Sequence, residues 1–200
     1  MEVIAKYILR SLGLFQVNLL YSGGGNFYIL APRSSEETLR NLRQYISSVL
    51  LSAHGGDLYL ALAWEPLPVY AFFSGLQEFF RLSADRASAL KSTRFSELGL
   101  SEHYNEIFLP ARLMKPEKSP ETCAGCRLTR PIVNTDESLC ELCESFKRLT
   151  ERLKEARFFS MRFCEATKKT EFKSYNDIFR AFGLETAFKE SHIPEHINLL

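Results

Sequence analysis

Four of the five cysteines in this 200-residue chain come as two pairs, "CAGC" and "CELC", at Cys123, Cys126, Cys140 and Cys143. Two intervening residues let one tight turn aim both sulfurs at one point. Two such turns supply the tetrahedral four-sulfur shell that Zn²⁺ prefers, with bonds of ~2.3 Å. The gap between the pairs is slightly shorter than in the commonest ribbon pattern. A redox pair and four unconnected thiols are the other readings. Redox CxxC motifs seldom come twice in so short a span, and no βαβ pattern surrounds either pair. A closed four-sulfur site leaves no open position for catalysis, so a metal here is structural. The segment is too short to bury a core, so metal binding would supply much of its folding energy. Cys164 is left over; set in an apolar run, it reads as an inert buried thiol.

The second candidate is "NLLYSGGGNFYILAP", residues 18–32, which spends three of only 10 glycines in a row. The mechanical reading is a hairpin turn that needs positive φ. Such a turn needs one glycine or two, and three exceed the demand. The chemical reading is a backbone that a ligand approaches closely, with N–H groups open to phosphate oxygens. Both readings stand on sequence alone.

Other polar residues offer less. His54 ends a helical stretch, His103 sits in a polar loop, and His192 and His196 lie near the C-terminus; none has a partner at metal or catalytic spacing. "ATKKTEFK" reads as a solvated basic face, or as a contact for RNA backbone in a larger assembly. Trp64 reads as core, and the aromatic stripe from Phe72 to Phe80 as core or subunit contact.

The elements that must position these residues follow from periodicity. Val3, Ile4, Tyr7, Ile8 and Leu12 recur at helical spacing, and Gly13 stops the pattern. Residues 15–21 alternate and 27–31 form a second apolar run, which together predict a β-hairpin across the glycines. Ser34 and Glu37 are spaced as a capping box for a helix to about His54, where Gly55 and Gly56 end it. "DLYLALAWE", residues 57–65, alternates as a strand. A further helix spans 72–91. Proline-marked polar sequence at 110–120 reads as a boundary. Past the cysteines come a charged helix at 142–156, a strand in "RFFSMRFC" and helical patterning at 175–182. The chain is therefore expected to be α+β in three parts: 1–118, a metal segment at 119–150, and a further region at 151–200.

Composition excludes some classes. Net charge is +1, so no bulk field recruits nucleic acid or anionic membrane. No apolar run reaches transmembrane length. Glu2, Lys6 and Arg10 interrupt the first apolar stretch, against a signal peptide. The expected location is the cytoplasm, where cysteines serve as ligands or free thiols.

The hairpin resembles that of GGDEF-type nucleotide cyclases and related polymerases. Gly23, Gly24, Gly25, Asn26 and Phe27 fall on Gly-Gly-Asp-Glu-Phe. Two glycines and the phenylalanine match, while Gly25 and Asn26 replace the acidic pair. Two-metal phosphoryl transfer needs carboxylates for Mg²⁺, so this hairpin keeps the shape without the metal ligands. The order helix, strand, strand, helix, strand is that of a ferredoxin-like unit lacking its first strand.

A degenerate palm followed by a four-cysteine segment is similar to the large polymerase/cyclase subunit of type III CRISPR RNA-guided effector complexes, Csm subtype. "NLLYSGGGNFYILAP", "LYLALAWE", "RFSEL" and "CELC" carry that resemblance, over about residues 1–165. It implies an ATP-contacting palm with Ser22, Gly23, Gly24 and Gly25 at the nucleotide, and zinc on the four cysteines. It implies partners too: other effector subunits, a second palm of the same subunit and, indirectly, guide and target RNA. The whole subunit would make cyclic oligoadenylates. With no Gly-Gly-Asp-Asp or His-Asp motif, this stretch alone is expected to be inactive, as an internal or truncated piece. The competing expectation is a zinc-ribbon interaction module for protein or nucleic acid, with an α/β scaffold and no nucleotide site.

Overall fold

The computed structural model describes residues 1–73, 75–108, 122–169 and 171–189. The expected boundary at 110–120, together with His192 and His196, lies outside the described residues. The protein is α+β, with its strands in three separate two-stranded antiparallel ladders. Packing divides the chain into two units: Met1–Ala31 together with Leu109–Leu200, and Pro32–Phe108. Sequence order and packing thus group the chain differently, since the N-terminal elements share a unit with the cysteine segment.

In the first unit, α1 (Glu2–Ser11) buries Ile4, Ala5, Ile8 and Leu9 on one face, a stripe in which each large side chain contributes ~1.5–3 kcal/mol. β1 (Leu19–Gly23) and β2 (Asn26–Ile29) form the expected hairpin, but its first strand starts later than alternation implied. Residues Gln16–Asn18 make a 3₁₀ turn instead. The Asn18 amide oxygen accepts from Phe15 N–H at 3.2 Å, and its Nδ2 donates to the Leu30 carbonyl at 3.0 Å. This side chain competes with strand geometry and wins locally. A register irregularity between Leu19 and Tyr21 then breaks the two-residue period.

In the second unit, α2 (Glu36–His54) ends at Gly55 as expected, but the Ser34 and Glu37 box is not formed. The chain enters through a 3₁₀ turn at Arg33–Ser35, so Ser35 becomes the N-cap in a helical conformation and makes no side-chain cap bond. An N-cap side chain needs extended backbone to reach back. α3 (Leu76–Ser92) follows a 3₁₀ turn at Val69–Phe72. Phe79 and Phe80 are half-buried, while Phe72 is exposed, so the aromatic stripe is not uniformly core. α4 (Tyr104–Phe108) is one short turn.

The rest of the first unit begins with β3 (Ile132–Asn134) and β4 (Leu139–Cys140), which pair beside the cysteines. α5 (Glu141–Glu155) leads to β5 (Phe158–Phe163), α6 (Tyr175–Ala181) and β6 (Leu184–Lys189). β5 and β6 run in unbroken register from Phe158 opposite Lys189 to Phe163 opposite Leu184. α6 carries a capping box in which Ser174 Oγ accepts from Asp177 N–H and Asp177 Oδ2 accepts from Ser174 N–H.

The segment 57–65 is the largest departure from the alternation. Of the face that alternation puts inward, Leu60 and Leu62 are buried, Trp64 is half-buried and Leu58 is exposed, and among the described residues no strand pairs with the segment. Two leucines are buried while the segment stands outside every ladder of the described residues, a configuration that invites a second chain. We predict that amides of 58–63 exchange within ~10-fold of open-chain rates, at least ~100-fold faster than those of 46–51 in α2. Hydrogen exchange read by mass spectrometry checks this. Protection that grows with protein concentration would show the segment pairing between copies.

Candidate functional site

The four cysteines converge. All four Sγ atoms lie within 4.8 Å of one another. They are brought together by two different devices rather than by two matching turns. The first pair sits on a knuckle closed by three backbone bonds: Arg127 N–H to the Cys123 carbonyl, Cys123 N–H to the Leu128 carbonyl and Ala124 N–H to the Ser138 carbonyl. The second pair sits at the start of a helix, with Cys140 as the N-cap of α5 and Cys143 in its first turn. There the free N–H groups and the positive end of the helix dipole favour negative sulfur.

The donor set fits a tetrahedral metal. Arms of ~2.3 Å imply sulfur–sulfur edges of about 3.8 Å, and Cys126 and Cys140 are 3.8 Å apart. Cys123 and Cys140 are buried, and Cys126 and Cys143 are half-buried. Burial pushes the Cys123 thiol up, but the backbone N–H groups of Cys126, Cys140 and Gly125 outweigh it and hold the thiol at about 6. One of these bonds, Cys140 N–H to Cys123 Sγ, spans 3.2 Å. Cys126 goes the other way, to about 11, chiefly by burial, and Cys143 is also raised by burial. Neutral thiols crowded beside a thiolate are poised to lose protons to a cation. The described residues that could hold a metal through three or more ligating side chains are these four cysteines.

Gly125 is a site residue that spacing did not single out. A Cβ there would meet Cys143 Sγ at 2.9 Å and Leu139 Cδ2 at 3.3 Å. The glycine inside "CAGC" therefore has a steric cause. Cys164 is half-buried rather than buried, and stands outside the cluster.

The glycine hairpin is resolved into two parts. Gly24 and Gly25 form the turn, at φ 57° and 78°, the left-handed pair that a two-residue hairpin loop requires. Both are exposed, as is Ser22. The mechanical reading thus accounts for two glycines. Gly23 is different: it has no positive φ, and a Cβ there would come within 2.9 Å of the Tyr21 hydroxyl. The close approach at Gly23 is made by the hairpin's own tyrosine. Nothing lies within 4 Å of a Cβ at Gly25, so the tip is open.

Of the remaining candidates, His103 pairs with Glu106 at 2.7 Å on the surface, and Lys169 pairs with Asp177. Among the described residues no helix is long and apolar enough to cross a membrane.

Two outcomes are expected of the cluster. Cys140→Ser should lose metal and melt residues 122–143 while α2 keeps its protection, read by metal analysis and hydrogen exchange. In the folded cluster the Cys123 thiol is lowered from its ordinary value of 9.0 to about 6, so it is charged at neutral pH and regains its proton as pH falls through about 6. Protons then compete with the metal for these sulfurs, so bound zinc should be retained at neutral pH and released as pH falls below about 6, with 122–143 losing protection at the same pH; metal analysis and hydrogen exchange across pH check this.

A family model described as Csm1 subunit domain B matches residues 1–110. Similar curated proteins bear the name CRISPR system single-strand-specific deoxyribonuclease Cas10/Csm1, subtype III-A. The one from Methanocaldococcus jannaschii is 27% identical over 176 residues, covering 76% of this chain and 21% of that protein. The Streptococcus thermophilus protein is 28% identical over 158 residues, covering 76% and 20%. The Mycobacterium tuberculosis protein is 26% identical over 188 residues, covering 84% and 22%. The chain thus spans about a fifth of the length of these relatives. With more than half of its residues matched by that model, the chain belongs to the Csm1 family.

Proposed function

We propose that this chain is a nucleotide-contacting, non-catalytic palm portion of a type III CRISPR effector subunit, braced by one structural Zn²⁺. The observation that carries the reading is the hairpin tip. In a chain of this family, Gly24 and Gly25 present bare backbone to solvent, and bare N–H groups suit phosphate oxygens. ATP is the ligand, with Ser22, Gly23, Gly24 and Gly25 as its contacts. Zn²⁺ is the metal because four thiolates at tetrahedral spacing are its preferred shell.

On this reading the chemistry lies elsewhere. Gly25 and Asn26 stand where carboxylates would hold Mg²⁺, so the hairpin orients a nucleotide without activating it. A second palm of the same subunit supplies the acidic residues for joining ATP into cyclic oligoadenylates. Other effector subunits hold guide and target RNA, with which this portion communicates indirectly. The setting is the cytoplasm, in antiviral defence.

The test is nucleotide binding by a hairpin variant whose turn survives. Asparagine tolerates left-handed φ in such a turn, and at Gly25 its side chain enters open space. Gly25→Asn should therefore lower the melt only slightly, by the strain of a side chain at φ 78°, and weaken ATP binding by about tenfold or more, because the side chain stands where phosphate oxygens would reach the N–H groups and their charged hydrogen bonds are lost. The 200-residue chain alone, given ATP and Mg²⁺, should make no oligoadenylate. Binding that ignores Gly25→Asn would remove the nucleotide from the hairpin and leave the zinc-centred interaction module as the better reading.

A further inference from the structure

Arg10 stands in the last turn of α1, and its backbone and side chain serve different masters. Its carbonyl accepts from Gly13 N–H at 3.1 Å, and Leu14 N–H bonds the Leu9 carbonyl at 2.8 Å. These bonds close α1 and start the turn into the glycine hairpin. That hairpin is tied at its base, where Leu30 N–H donates to the Asn18 carbonyl at 2.8 Å.

The side chain reaches the far end of the sequence. Arg10 Nη1 donates to the Cys164 carbonyl at 3.2 Å and to the Gly183 carbonyl at 3.4 Å. Its guanidinium lies 4.8 Å from the centre of the Phe163 ring. The two carbonyls belong to the end of the β5–β6 ribbon nearest α6, where Cys164 N–H also donates to the Gly183 carbonyl at 2.9 Å. Below this fork Tyr7 packs on Phe182 with ring centres 5.3 Å apart, and Ile8, Phe182 and Leu184 are each only 1% exposed. A flat fork that bridges two carbonyls and stacks on a ring is a task for arginine; a lysine offers one point charge.

We propose that Arg10 is a positioning residue that fixes the glycine hairpin to the β5–β6 ribbon, so that the two move as one body. The hairpin's presentation then depends on residues 158–188, on the far side of the cysteine segment from it in sequence. The consequence for ATP rests on the reading of the hairpin given above; the coupling itself does not.

Hydrogen exchange on the full chain tests it without nucleotide. Arg10→Ala should raise exchange by about tenfold in peptides covering 19–29 as well as in those covering 158–164, since two hydrogen bonds are lost. Peptides covering 122–143 should stay unchanged. Arg10→Lys should recover part of the protection in both places together. Gly183→Ala approaches the same point from the ribbon, because a Cβ there would lie 3.3 Å from the Cys164 carbonyl and 3.7 Å from Arg10 Nη1 at a φ of 66°. It should loosen the hairpin too. A ribbon that opens while 19–29 keeps its protection would overturn the proposal, as would equal loosening of every region. ATP protection of 19–29 in the unsubstituted chain is scored separately. Its absence would count against the nucleotide reading, while the exchange of the unliganded variants still decides the coupling.

Discussion

The first unit depends on bringing four sulfurs within 4.8 Å of one another. Without a cation this arrangement is uphill. Burial raises the Cys126 and Cys143 thiols, while backbone N–H groups hold Cys123 toward its charged form. A divalent metal removes the conflict by favouring every thiolate at once. The short β3–β4 ladder, the knuckle and the start of α5 have few apolar contacts to offer instead. Leu128 and Leu142 are the buried aliphatic residues closest in sequence to the ligands.

Order propagates outward from the cluster through α5. Ser145 Oγ, two residues beyond Cys143, accepts from Tyr175 N–H at 2.9 Å, and Phe146 and Tyr175 have ring centres 6.3 Å apart. α6 is thereby seated on α5. At the other end of α5 the Arg152 guanidinium lies 4.3 Å from the centre of the Phe188 ring, on β6. The ribbon in turn receives α1 through Tyr7 and Arg10. The cluster and the hairpin are thus joined by a continuous run of packed elements, although neither touches the other. A metal held by the four sulfurs would support the hairpin at a distance.

Much of the chemistry was legible in the chain because it depends on spacing alone. Two CxxC pairs name the four sulfurs that converge, and three glycines between apolar runs name their own turn. Features set by competition between neighbours were not. The Ser34 and Glu37 spacing pointed to a capping box, but the 3₁₀ turn after Pro32 moved the cap. A box of the same kind formed at Ser174 and Asp177, where "SYND" carries the shorter acid. The alternation of 57–65 pointed to Leu58, Leu60 and Leu62 on one face, of which Leu60 and Leu62 are buried and Leu58 is exposed, and pairing needs a second strand, which a single segment's pattern does not reveal. β6 went unread because "LETAFK" is short and mixed, and its partner lies some twenty residues back. Arg10 looked like one charge interrupting an apolar stripe; its role needs three contacts from beyond residue 160.

The most direct measurement of this account is X-ray absorption at the zinc edge of the purified chain. Four sulfur scatterers at ~2.3 Å are predicted, with one zinc per chain. A shell containing nitrogen or oxygen, or protein that folds cooperatively with no zinc at all, would contradict the claim that the four-sulfur site organises this unit.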